Sequence, residues 1–346
     1  MSIIEIDGST GEGGGQILRT SLALSIATHI PVRIYNIRKK RPNPGLQPQH
    51  YMAIKAASYI SRADVKGAKL NSEEIYFKPN QISQELTSID VGTAGSIPLI
   101  LQTLVPSLAL AKLSFSLEVT GGTDVKWSPT IDYIKYVFSS FLNVVGIKLD
   151  IEVKKRGYYP KGGGKVVCQV VNFSFPRPLK FEESNKEIVI RSVCSNLPES
   201  VADRQAKIAL RTLEKAKIRL DTQVISSKEA SISPGTSILI YTVHKFGSYI
   251  GSDSIGERGK PAEKVGEEAA LSFLNEYSML PEVDSHLGDM IVPYLFLSPF
   301  YSKVKVSKIT SHLKTNLFVS SLFIKRKYSL ISLTGDGAIL EVFPNS

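Results

Sequence analysis

Cysteine is scarce in this chain: Cys168 and Cys194 are the only two among 346 residues. They have no metal-ligand spacing, which excludes a cysteine-held metal motif and leaves a reduced, cytoplasmic protein as the simplest reading. No apolar run reaches membrane-spanning length, and no signal-peptide pattern opens the sequence. The 42% hydrophobic content and mean hydropathy of +0.01 are ordinary for a soluble protein. Two familiar phosphate-loop signatures are also missing. The glycine-rich stretch near the start has no Lys-Ser/Thr pair, so it is not a Walker A loop, and it does not fit G-x-G-x-x-G. No run matches an aromatic-rich RNA-binding strand.

What is present begins with that glycine-rich stretch, Gly8 to Arg19, in which Gly11, Gly13, Gly14 and Gly15 crowd together. Glycine lets backbone N–H groups approach a phosphate closely. Glu12 is the one carboxylate inside the loop, and beside phosphates it suits a divalent cation. An apolar run follows at once, so the loop should open onto a helix N-terminus, which attracts anions.

The charge balance is basic, with 42 Lys and Arg against 32 Asp and Glu, a net of +10. Basic clusters occur at Arg33 and Arg38 to Arg41, at Lys154, Lys155, Arg156, Lys161 and Lys165, and at Lys303, Lys305, Lys308 and Lys314. They suit a polyanion partner or a plain solvated surface.

Three segments share one layout. The first carries Leu18, Leu22 and Ile26 on one helix face, then a strand at Val32–Ile37. The second runs from 92 to 96 through Ile97, Leu101, Leu104 and Leu108 to a strand starting at Leu113. The third runs from Gly288-Asp289 through Ile291 and Leu295 to a strand ending at Val306. Second helices are expected near Pro48, Ser128 and Ser311, each followed by a strand pair. The pattern predicts an α+β fold of three β-α-β-α-β-β units. Pro106 and Pro293 fall inside first helices and predict kinks or early ends. From Pro176 to about Tyr277 the rhythm changes, which predicts an inserted α+β domain with an exposed loop at Ser226–Ser237.

His50 and His312 hold equivalent places, each at the start of a second helix, where the dipole disfavours an imidazolium. A neutral imidazole can attack phosphorus; a packing or capping role is the alternative. His29 and His244 read as structural or surface residues.

The loop Gly8–Arg19, the run Arg38 to Leu46, Gln49-His50, Gly121 to Asp124, Arg156 to Gly164, Leu287-Gly288-Asp289 and Ser311 to Asn316 together resemble the RNA 3'-terminal phosphate cyclase family, in its archaeal-type, catalytically competent branch. The similarity spans nearly the whole chain. It implies a large catalytic domain of three repeats (1–183 and 278–346) with a smaller α+β domain (184–277) inserted before the third. It implies an enzyme that uses ATP to convert an RNA 3'-phosphate to a 2',3'-cyclic phosphodiester, releasing AMP and pyrophosphate through a histidine–AMP intermediate. By position, His312 matches the nucleophile and Glu12 the metal-associated carboxylate, with Mg or Mn as the ion. Arg19, Arg38, Arg41, Gln49, His50 and Gln102 match the phosphate-binding groups. Pro129 and His286 match the adenine sandwich, with Asp289 beside it; the family often has Tyr at the place of His286. The expected partners are ATP and RNA with a 3'-terminal phosphate, with no membrane. The sequence does not set the oligomeric state, a homodimer being one option. Two other readings fit the residues less well. A non-catalytic, cyclase-like RNA-binding protein of ribosome assembly lacks the nucleophilic histidine, and an enolpyruvyl transferase lacks the insert and Ser311 to Asn316.

Overall fold

The apolar spacing of Leu18, Leu22 and Ile26 becomes one buried helix face, and burying each such side chain contributes about 1.5–3 kcal/mol. The computed structural model describes residues 3–83, 87–92, 94–110, 114–173, 179, 187–218, 220–243 and 249–344. Leu113 and His244 of the sequence reading lie outside them.

The first run comprises β1 (Ile4–Asp7), α1 (Gly15–Thr28), β2 (Val32–Tyr35), α2 (Pro48–Ser61), β3 (Asp64–Lys66) and β4 (Ile75–Lys78). Its sheet order is β1-β2-β4-β3, with β1 and β2 parallel and the other pairs antiparallel. The second run comprises β5 (Ser88–Asp90), α3 (Ile97–Leu110), β6 (Phe115–Gly121), α4 (Ile131–Tyr133), a π-helical turn (Ile134–Phe138), α5 (Ser139–Val144), β7 (Ile147–Lys155) and β8 (Gly164–Phe173). Its sheet order is β5-β6-β8-β7, again with the first pair parallel.

Next come β9 (Glu187–Ser195), α6 (Ser200–Lys215), β10 (Asp221–Lys228), β11 (Gly235–Val243), β12 (Gly251–Ile255) and α7 (Ala262–Ser278). This sheet has the order β10-β9-β11-β12. Ile188, Ile190, Leu213, Ile240, Val265 and Phe273 form a small core of their own under it. The last run is α8 (Ser285–Leu297), β13 (Ser302–Val306), α9 (Ser311–Phe323), β14 (Tyr328–Ser332) and β15 (Ala338–Val342), with sheet order β13-β15-β14. Val283 bridges Val306 in parallel, at the position a leading strand would take. In the larger core α1 packs against α3 and α9, and α8 packs against α9. Among the described residues no helix is long and apolar enough to cross a membrane. The class is mixed α+β, as expected.

Three expectations need correction. Of the kinks or early ends expected at Pro106 and Pro293, the early ends do not occur: α3 and α8 run through them. Pro293 has no N–H for the carbonyl of Asp289 one turn earlier, but the Asn316 side-chain amide on α9 donates to that oxygen at 2.6 Å. The stretch 226–237 is not one exposed loop, because β10 reaches Lys228, β11 starts at Gly235, and Ser233 and Ser237 are buried. Arg156 is no part of a basic surface. It is 1% exposed and donates to Asp124 at 3.3 Å, to Asp132 at 2.8 Å and to Glu229 at 2.8 Å. Arg33 is likewise paired with Glu5 and Glu74, Lys154 with Glu152 and Lys165 with Glu118.

Candidate active site

The glycine-rich stretch forms a turn whose backbone requires glycine. Gly11 and Gly13 both have left-handed φ, 61° and 59°. Gly14 precedes α1 with no side-chain cap, so the first amides of that helix keep their hydrogens for an outside acceptor. A Cβ on Gly15 would collide with His50 Nε2 and the Arg19 guanidinium, so the close approach of α1 to α2 depends on its absence.

Glu12 leaves this turn towards α9. Its Oε2 accepts from Arg41 at 3.1 Å and lies 3.3 Å from His312 Nε2. His312 is the second residue of α9, whose N-cap is Thr310; the Thr310 hydroxyl accepts from the Leu313 amide at 2.8 Å. Residues some 300 positions apart in sequence thus meet at one carboxylate. Burial pulls the His312 imidazole below the ordinary histidine range. Glu12 opposes that shift, and Arg19, His286 and Arg41 reinforce it. That direction favours the neutral ring, the form that carries a lone pair.

His50 is 1% exposed. Its Nδ1 accepts from the Gln47 amide at 3.1 Å, which fixes the proton on Nε2. Burial, with Arg19 and Arg38 behind it, pushes its pKa down to about 3. Arg19 donates to Gln16 at 2.8 Å, and burial pushes its guanidinium down to about 10. Arg38 is held lower by burial and by Arg41. Arg19 Nε, Arg41 Nε and His50 Nε2 are buried donors with no hydrogen-bond partner in the protein. Unpaired buried donors cost about 1–3 kcal/mol each. Three gathered beside a glycine loop and a bare helix N-terminus suit an anion with several oxygens.

Gln102 faces the same interior. With Gln16, Arg19, Pro106, Pro293 and Asn316 it lines a small cavity where α1, α3, α8 and α9 converge. Gln49 stands exposed on the first turn of α2, and no contact joins it to the others.

A second cluster lies at the N-terminus of α8. Asp284 caps that helix by accepting from Leu287 at 2.8 Å, and it also accepts from Tyr133 at 2.7 Å and Gly251 at 2.8 Å. Burial pushes Asp284 up to about 7. His286 follows, its ring edge-on to Tyr133 at 6.2 Å. Desolvation disfavours its charge, but Asp284, Asp253, Asp289 and Glu276 outweigh it, and its pKa is raised. Asp289 accepts from the Thr310 hydroxyl, and burial pushes it up to about 7. Pro129 joins this cluster through its neighbour Thr130, whose amide and hydroxyl both donate to Asp253 at 2.7 Å. Two clusters therefore flank His312, one rich in donors and one holding an aromatic ring among carboxylates.

Several participants escaped the sequence reading. Asn316 links α8, α9 and α1 through the Asp289 carbonyl, Thr20 at 2.7 Å and Gln16 at 3.3 Å. Asp253, Glu276 and Asp284, from three different elements, act on the His286 charge. A lone carboxylate has no sequence signal until the fold brings it to a ring.

The sequence profile of the RNA 3'-terminal phosphate cyclase family matches residues 10–330. The chain belongs to this family. Relatives named RNA 3'-terminal phosphate cyclase include one from Pyrobaculum aerophilum, 45% identical over 96% of both chains. One from Staphylothermus marinus is 44% identical over 99% of this chain and 98% of its own. A third, from Desulfurococcus amylolyticus, is 47% identical over 93% and 92%. The cyclase family match thus takes in the Glu12 turn, the Arg38–Arg41 run and the His312 helix in a single span.

Proposed function

We propose that this chain is an ATP-dependent RNA 3'-terminal phosphate cyclase whose nucleophile is His312. The observation that carries this reading is the approach of His312 Nε2 to Glu12 at 3.3 Å, inside a ring of unpaired arginine and histidine donors. His312 Nδ1 is buried, so Nε2 is the nitrogen that faces an incoming nucleotide. It attacks the α-phosphorus of ATP. The N–P bond forms as the bond to pyrophosphate breaks, and pyrophosphate leaves. An oxygen of the RNA 3'-phosphate then takes the AMP, breaking the N–P bond. The vicinal 2'-hydroxyl attacks the activated phosphorus, loses its proton and expels AMP, closing the 2',3' ring. A phosphate monoester has no good leaving group, and adenylylation supplies one.

Arg19, Arg38, Arg41, His50, Gln49 and Gln102 hold phosphate oxygens in this reading, Arg by its planar fork. Pro129 and His286 take the two faces of adenine, and Asp289 its polar edge. No trio of His, Cys, Asp or Glu among the described residues could hold a metal alone. Glu12 nevertheless fits Mg²⁺ or Mn²⁺, which beside phosphates take one or two carboxylates and fill the rest with phosphate oxygens and water. The ion would neutralise charge on the triphosphate. Cys168 and Cys194, both buried and unpaired, support a reducing, cytoplasmic setting.

The same reading takes the fold as three related units, with residues 184–277 inserted before the third. The matching sheet orders of the first two units and the separate core of residues 188–273 support it. Incubation with α-labelled ATP tests the nucleophile. Acid-labile AMP should map to His312 and vanish in His312→Ala, and stable AMP on any other residue contradicts the assignment.

A further inference from the structure

The chain has one tryptophan, Trp127, and it is 90% exposed. No other large apolar side chain described is as exposed. Its backbone sits in the left-handed region at φ 62°, an outlier for so bulky a residue. Such conformations persist where the surroundings impose them, and they gather at functional sites. The surroundings here do impose it. Before Trp127, the Asp124 amide donates to Gly157 at 3.2 Å and Lys126 pairs with Glu257 at 2.8 Å. After it, Ser128 bonds Ser96 at 2.5 Å, and Thr130 is fixed on Asp253. The loop is pinned on both sides and holds its indole out in water.

We propose that Trp127 is the stacking platform for a base of the RNA substrate, on the 5' side of its phosphorylated end. This rests on the cyclase reading and extends it to the body of the RNA. Three observations point to a nucleic-acid base. Trp127 lies two residues before Pro129, which that reading places against the nucleotide. The Lys126 ammonium sits 5.7 Å from the indole centroid, and its exposed pair with Glu257 yields readily to a phosphodiester. The turn carrying Glu257 also presents Arg258 to solvent. A largely exposed ring with one ammonium over it matches the two surfaces of a nucleotide, and stacking on it is indifferent to base identity. A role for the 184–277 segment follows, since its Glu257 holds the Lys126 ammonium beside the indole.

A single tryptophan makes the test direct. A 3'-phosphate oligoribonucleotide added to the full chain should quench the Trp127 emission saturably. An oligonucleotide of abasic sugars with the same 3'-phosphate should not. Trp127→Ala should raise KM for RNA about tenfold, equivalent to about 1.4 kcal/mol, with Trp127→Phe recovering part of it. KM for ATP in the loading of AMP onto His312 should not change. The proposal is overturned if RNA leaves the emission unchanged and Trp127→Ala keeps its KM. It is also overturned if ATP alone quenches as deeply, which would put adenine on the indole. A chain that never cyclises RNA but is quenched by the base-bearing oligonucleotide alone would refute the cyclase reading and leave the platform standing.

Discussion

Glu12 sits between a guanidinium and an imidazole, and in the proposed mechanism its further partner is the divalent ion at the triphosphate. Glu12→Ala should slow AMP loading on the order of 100-fold, the scale of one lost electrostatic stabiliser, and raise the metal requirement. Unchanged metal dependence would leave Glu12 as a partner of Arg41 and His312 with no ion to hold. Arg41 in turn should carry one phosphate contact. Its removal should reduce the log–log salt slope of RNA binding by about 0.7, read by titration at several ionic strengths. A lower melting temperature with an unchanged slope would make it structural. His50 gives a pH signature. Its folded-state pKa of about 3 lies below the unfolded value of 6.5. The unfolded chain therefore binds more protons in that window, and stability falls as the pH falls through it, by up to about 1.4 kcal/mol per pH unit. His50→Gln should remove that slope. Urea midpoints of both proteins from pH 6.5 downward check it, and parallel losses would contradict it.

Helices α8 and α9 depend on each other through Pro293. The proline leaves the Asp289 carbonyl without its helical donor, and Asn316 replaces that donor. Asn316→Ala should cost about 1–3 kcal/mol, and part of the loss should return in Asn316→Ala with Pro293→Ala, because an alanine at 293 restores the amide. Denaturant midpoints for the four proteins close the cycle, and additive losses would show that the two sites are independent. This pair also marks the limit of the sequence. The 3.6 spacing of Leu18, Leu22 and Ile26 made the first helix legible, and the motif matches named the candidate residues. Pro293 read alone meant a kink or an early end, because the donor that replaces its missing amide is a side chain on another element. Arg156 read as surface charge for the same reason, since Asp124, Asp132 and Glu229 reach it only in three dimensions. The strands β10 and β12 were lost among serines, whose own preference for turns masked the alternation.

On the scale of the whole molecule, Arg156 ties the 184–277 segment to the second sheet. Its backbone amide donates to Ala230 at 2.8 Å, and its side chain holds Asp132 and Glu229 together. Arg156→Met would leave buried carboxylates unpaired and should cost about 3–5 kcal/mol. A loss below about 1 kcal/mol by chemical denaturation would show that the carboxylates find other partners or protonate at little cost. The fold brings the glycine turn, the α2 histidine and the α9 histidine to one place, and the central claim is that this place closes a ring on RNA. The most direct measurement uses a defined oligoribonucleotide with a 3'-phosphate, ATP and Mg²⁺. Wild-type protein should convert the phosphatase-sensitive end to a phosphatase-resistant 2',3'-cyclic end, His312→Ala should not, and a 2'-deoxy terminus should not close with either. A wild-type protein that leaves the end phosphatase-sensitive, or a His312→Ala variant that cyclises at the wild-type rate, would contradict the account.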